Sequence, residues 1–127
     1  MIQEFSADFR KLMKEKTGED RFDTYDVFFN APLVVFITLP EKPSTHFASV
    51  DAGIAVQNLA LSAHAMGMGS VIVGMPRELF ISDMGSEWAN KLCFPQDHLF
   101  SIGIAIGHNT VTKDAHPIGE NKITVIG

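Results

Sequence analysis

The stretch from Phe47 to Met66 restricts the fold of this chain more than any other segment. Its twenty residues form one helix of about 30 Å at 1.5 Å per residue. Small side chains crowd it, at Ala48, Ser49, Ala52, Gly53, Ala55, Ala60, Ser62, Ala63 and Ala65. Larger apolar ones, Val50, Ile54, Val56, Leu59 and Leu61, fall nearly all the way round. A helix apolar on every side must be covered on more than one side. In a chain of 127 residues, a sheet can cover one side and a second copy of the chain the other. Asp51, Gln57 and Asn58 interrupt the apolar surface. Buried polar groups need hydrogen-bond partners, so these three are expected to fix helix packing or a dimer contact, with a catalytic role as the alternative.

The remaining elements arrange themselves around this helix. Ile2, Phe5, Phe9, Leu12 and Met13 have helical spacing over residues 2–16, and Gly18 is a plausible stop. Residues 19–30 read as a loop. The run Pro32–Thr38 is continuously apolar and β-branched, as in strands covered on both faces in the middle of a sheet. Gly67 and Gly69 end the long helix, and Ser70–Val73 reads as a short strand. Pro76 suits the first turn of a following helix, and Ser86 could cap another that runs to Leu92. Pro95-Gln96-Asp97 is a turn, Leu99–Ile106 a second covered strand, and Ile123–Ile126 a late strand after a polar tail. This order of helices and strands predicts one layered α/β (α+β) domain over residues 1–127 with a mixed sheet.

Composition narrows the function classes. The formal charge is −5, from 10 basic and 15 acidic residues, with no basic block. Nucleic-acid binding is therefore disfavoured. Polar and glycine residues break the longest apolar stretch, Phe47–Met75, so it reads as a buried helix plus strand and not as a membrane span. The charged start excludes an ordinary signal peptide. Cys93 has no partner for an internal disulfide, which suits a cytoplasmic protein and places Cys93 in the core.

The motifs carry little chemistry by themselves. Gly67-Met68-Gly69 follows a helix and opens a strand, whereas phosphate-binding glycine loops do the reverse, so helix capping explains it. Gly74 follows a strand and precedes a helix, so it is either a simple βα turn or a place where backbone N–H groups meet a polar ligand atom. The five histidines, 46, 64, 98, 108 and 116, include no i, i+4 pair, and no metal site is expected. His64 reads as a core or helix-terminal residue.

Taken in order, several segments resemble one family, the FMN-dependent nitroreductases. Asn30-Ala31-Pro32-Leu33-Val34-Val35 is similar to its "APVVI" strand, and Val50–Leu59 to its central dimer helix. Ala63–Ser70 is similar to its "AA-x-x-x-GLGS", Phe94–His98 to its "lPedH" turn, and Ile104–Gly107 to its "ialGyp" strand end. The resemblance implies a layered α-β-α sandwich with a mixed, mainly antiparallel sheet. It also implies a homodimer joined through the 47–66 helix, with FMN at the interface. NAD(P)H would reduce the FMN, which would then reduce nitro compounds, quinones or similar acceptors. Val73, Gly74 and Met75 fall where the family lays backbone along the flavin, and no side-chain acid or base is required. Lys113 and His116 are the candidates for a cationic contact to the FMN phosphate or ring, because His116-Pro117 stands where the family commonly has Arg-Pro. The family's arginine-rich "RRSxRxF" phosphate grip and its "W-x-F" strand have no counterpart before Met1. The expectation is therefore an N-terminally truncated fold, its C-terminal two-thirds, which either serves a flavin enzyme or forms a dimeric module without flavin.

Overall fold

A computed structural model of the chain describes residues 1–109 together with 111, 114, 117, 119 and 124. The elements are α1 (Ile2–Thr17), a 3-10 turn (Asp20–Asp23), β1 (Leu33–Pro40), α2 (Ala48–Ala65), β2 (Gly69–Val73), α3 (Arg77–Phe80), α4 (Gly85–Lys91) and β3 (His98–Gly107). Among the described strands the sheet order is β1-β3-β2, and both pairings are antiparallel. Leu33 faces Ile106 and Gly69 faces Gly107, so β1 and β2 flank β3 in the same direction.

Alternation along the strands sends side chains into two separate layers, because successive residues point to opposite faces. Val34 and Phe36 of β1, Ala105 of β3 and Val73 of β2 meet Phe5, Phe9, Leu79 and Trp88 on one face. Val35, Ile37, Ile104 and Ile106 meet Val56, Leu59 and Ala63 of α2 on the other. The result is the α-β-α sandwich that the sequence predicts. In α1, Phe5, Phe9 and Met13 recur every fourth residue and are buried. Gly18 closes the helix at φ 69°, and its N–H donates to the Lys14 carbonyl. The glycine pair after α2 does what capping requires. Gly67 is left-handed at φ 73°, its N–H donates to His64 O at 3.0 Å, and the Met68 N–H donates to Ala63 O at 2.9 Å. This two-bond closure satisfies carbonyls that the helix end leaves orphaned.

Four expectations need correction. Cys93 is exposed, because it takes the left-handed position (φ 56°) just beyond the end of α4, where its N–H bonds to Asn90 O and its side chain turns outward. Ser86 does not cap α4. The helix begins at Gly85, and it is Ser82 that accepts the Met84 N–H at 3.2 Å. Asp51, Gln57 and Asn58 are exposed and make no side-chain hydrogen bond among the described residues, since they flank the face of α2 that points away from the sheet; this overturns their packing role within the chain and leaves the dimer contact as the expectation. The run Pro32–Thr38 is not central: β3 is the middle strand, and no residue of β1 is buried. Of the late strand expected at residues 123–126, only Thr124 lies among the described residues, and it is in no strand.

Candidate functional site

The Val73–Gly74–Met75 turn sits where β2 leaves the sheet. Val73 is the anchor, 5% exposed and packed in the α1-side core. The next residues reverse into α3: Arg77 N–H donates to Gly74 O at 3.1 Å, Glu78 N–H to Met75 O at 3.0 Å and Leu79 N–H to Pro76 O at 3.1 Å. The turn's carbonyls are therefore spent inside the protein. The Met75 N–H finds no acceptor among the described residues. At Gly74 a Cβ would meet only Ile102 Cδ1, at 3.9 Å, so the space above this backbone is open. Ile72 and Met75 beside it are exposed although apolar, at 45% and 38%. Together these give an apolar shelf edged by the Gly74 and Met75 N–H groups, neither of which finds an acceptor among the described residues. Such a surface suits the rim of a planar aromatic ring system that carries polar edge atoms, as an isoalloxazine does.

The clefts of the chain lie elsewhere. One of about 550 Å³ opens between α1 and the 24–32 loop, with Arg10, Gln3, Thr24 and Asn30 on its walls. Another of about 440 Å³ lies at the far end of β2, around Gly69, Ser70 and Asn109. Neither reaches Val73–Met75. Asp26 shapes the loop between these two clefts. Its carboxylate accepts the Phe28 N–H at 2.9 Å, the Asn30 N–H at 2.7 Å and the Ser6 hydroxyl at 3.2 Å. That clamp holds Phe29 and Asn30 in left-handed conformations, φ 57° and 55°, which non-glycine residues adopt at a cost.

Of the residues singled out in the sequence, Val73, Gly74 and Met75 form one contiguous turn. Lys113 and His116 lie outside the described residues. Sequence reasoning passed over Ile72 and Ile102, which complete the shelf; the available signal was strand alternation, which puts Ile72 on the same face as its partner Ile104. It also passed over Asp26, which joins its own loop to Ser6, twenty residues away.

The sequence profile of the Nitroreductase family matches residues 2–108, most of the chain. The chain belongs to the nitroreductase family. Its fold is shared by a nitroreductase with bound FMN from Desulfitobacterium hafniense, with TM-score 0.86 and 24% identity over 99% of this chain and 70% of that one. An FMN-dependent nitroreductase from Clostridium difficile superposes with TM-score 0.83 and 24% identity, over 98% of this chain and 73% of that one. A nitroreductase with bound FMN from Bacteroides fragilis gives TM-score 0.83 at 17% identity, over 99% and 70%. At these identities the likeness to the three structures is one of fold. Comparison with curated protein sequences gives no significant match.

Proposed function

We propose that this nitroreductase-family chain serves as an FMN-dependent oxidoreductase that uses NAD(P)H to reduce nitro compounds, quinones or similar acceptors. The observation that carries this reading is the open shelf at Val73–Met75, with its glycine and its unpaired Met75 N–H, in a chain whose family match spans residues 2–108. When bound, FMN would supply the hydride chemistry, taking electrons from NAD(P)H and delivering them to the acceptor. The chain's residues would bind and orient. Val73 fixes the turn to the core, Gly74 leaves room for a ring to lie against backbone, and the Met75 N–H would donate to a ring edge atom and stabilise charge gathering there. Lys113 and His116 are the proposed cationic contacts.

The site is proposed to be completed by a second copy docked on α2. Phe47, Val50, Ile54 and Leu61 form one stripe on this helix, each 56–58% exposed, while Ala52, Val56 and Ala63 on the opposite side are buried. A stripe of that size on a lone chain marks an association surface. No described helix is long and apolar enough to cross a membrane, and a cytoplasmic dimer of single domains over residues 1–127 is the setting proposed. The openness of the shelf favours one other reading, a dimeric module that holds no flavin. Absorbance of the purified protein with added FMN separates the two. A flavin spectrum retained through gel filtration and bleached by NADH or NADPH supports the oxidoreductase. A colourless protein after the same treatment overturns it.

A further inference from the structure

Among the described cationic side chains, Arg10 stands apart. Lys14, Lys16, Arg21, Arg77 and Lys91 each lie within 4.0 Å of a carboxylate. Lys11 and Lys42 are exposed. Arg10 is half-buried, and no carboxylate comes within that distance of it among the described residues. Its hydrogen bond is long, 3.4 Å from Nη1 to the Tyr25 carbonyl. A guanidinium carries five N–H donors and keeps its charge at every working pH. Drawn partly out of water without an acidic partner, it bears a desolvation cost that a bound anion offsets.

Arg10 also sits in a cleft. The space of about 550 Å³ between α1 and the 24–32 loop is large enough for a small metabolite. Gln3, Ser6 and Arg10 line it together because residues three and four apart are neighbours on a helix. Thr24 and Asn30 line it from the loop. Asp26 lines the same cleft and yet does not pair with Arg10. Its carboxylate is turned instead to the Phe28 and Asn30 N–H groups and the Ser6 hydroxyl, and these donors disperse its charge. The same clamp holds Asn30 in its left-handed conformation, and backbone strain of this kind gathers where ligands are held. The cleft therefore gathers a guanidinium, two amides and a hydroxyl around one space, with its carboxylate already occupied. We propose that it binds the phosphate group of a small phosphorylated metabolite. The edge of the Arg10 guanidinium donates two parallel N–H bonds to two phosphate oxygens, and the Gln3, Thr24 and Asn30 side chains serve the third. A carboxylate, with two oxygens, leaves part of this donor set unused. The formal charge of −5 repels anions at long range, so the local donors select the ligand. The proposal goes beyond the flavin reading, because the cleft shares no residue with the Val73–Met75 turn.

The test is an NMR titration of the isotope-labelled 127-residue chain with inorganic phosphate, against sodium chloride at matched ionic strength. The Arg10 side-chain N–H signal and the Thr24 and Asn30 amides are expected to shift and saturate with phosphate and to stay still in chloride. Arg10→Gln is expected to weaken binding roughly tenfold or more, as loss of a charge-assisted hydrogen bond does. Arg10→Lys keeps the charge and loses the fork; its affinity is expected to fall between the two, which guards against a glutamine variant that fails to fold. Shifts that never saturate, or that Arg10→Gln leaves unchanged, overturn the proposal. Equal binding of acetate overturns the choice of phosphate. FMN carries a phosphate of its own, so FMN retention by Arg10→Gln is measured alongside. Unchanged retention with phosphate binding lost supports a separate site, whereas FMN that displaces phosphate from Arg10 overturns it. In a chain that takes up no flavin the titration still reads the cleft, so the two readings fail separately.

Discussion

Asp26 shows how much one side chain can organise. Its two oxygens satisfy two loop N–H groups and the Ser6 hydroxyl on α1, and so they join the loop to the helix it packs against. Replacing it leaves two adjacent left-handed residues without their clamp. Asp26→Ala is expected to cost about 2–3 kcal/mol, since hydrogen bonds to a charged group contribute more than neutral ones; urea unfolding followed by tryptophan fluorescence reads it at Trp88. Gly85 is a second single-residue constraint. A Cβ there would overlap the Phe80 carbonyl oxygen, which is backbone and cannot swing aside. Gly85→Ala is expected to cost roughly 2 kcal/mol or more, visible as a lowered thermal midpoint. At the surface, the hydrogen bond from Lys91 holds the Glu4 carboxyl below its ordinary value of 4.5. A carboxyl with a lowered folded pKa contributes stability above its unfolded pKa and loses it as pH falls through the folded one. The difference in unfolding midpoint between the native chain and Glu4→Gln should therefore be constant near neutrality. It should begin to shrink as pH falls below 4.5 and vanish once the pH is below the folded pKa, and it should be reduced by salt at neutral pH.

At the scale of elements, α2 is the one whose sequence asked for more than the chain provides. Its buried and exposed stripes lie on opposite sides, and both are apolar. Ile54→Arg is expected to leave helix content unchanged and convert a dimer to a monomer in sedimentation velocity; an unchanged sedimentation coefficient would remove α2 from the interface. α1 was legible because its apolar residues recur every fourth position, and β1 and β3 because each is a nearly unbroken apolar run. The Gly18 and Gly67 caps were legible for the same local reason. What the sequence misplaced depends on neighbours far along the chain. An apolar run predicts that a strand is covered, yet it does not say which strand is central, and so β1 was given the position β3 holds. Asp51, Gln57 and Asn58 were read as buried because a helix pattern does not mark which face remains uncovered. The Val73–Met75 turn was legible from strand, glycine and proline in order; its Ile72 and Ile102 shelf needed the pairing register.

For the whole molecule, the shelf and the α2 stripe make a joint statement: flavin should bind to, and stabilise, the assembled form. FMN at a hundredfold excess over its Kd should add about 2.7 kcal/mol to stability. For a domain of this size that is a rise of roughly 8–12 °C in Tm, since each kcal/mol shifts the midpoint by several degrees. Differential scanning fluorimetry with and without FMN reads this directly, and a flat midpoint favours the flavin-free module. The rise should also be smaller in Ile54→Arg if two chains build each site.

The strand order has a consequence for the chain as it is made. Among the described strands β1 and β2 do not pair; each bonds to β3, which follows both in sequence, with Leu33 meeting Ile106 and Val73 meeting Gly103. A ribosome adding about 5–20 residues per second therefore releases α1, β1, α2 and β2 before the hydrogen bonds of either strand to β3 can form. The doubly apolar α2 and the uncharged β1 must wait in solvent for their common partner. Closing so long a loop is entropically slow, and until residues 98–107 emerge, the apolar faces of β1 and β2 lack the strand that joins them, which makes the nascent chain a natural client for a chaperone.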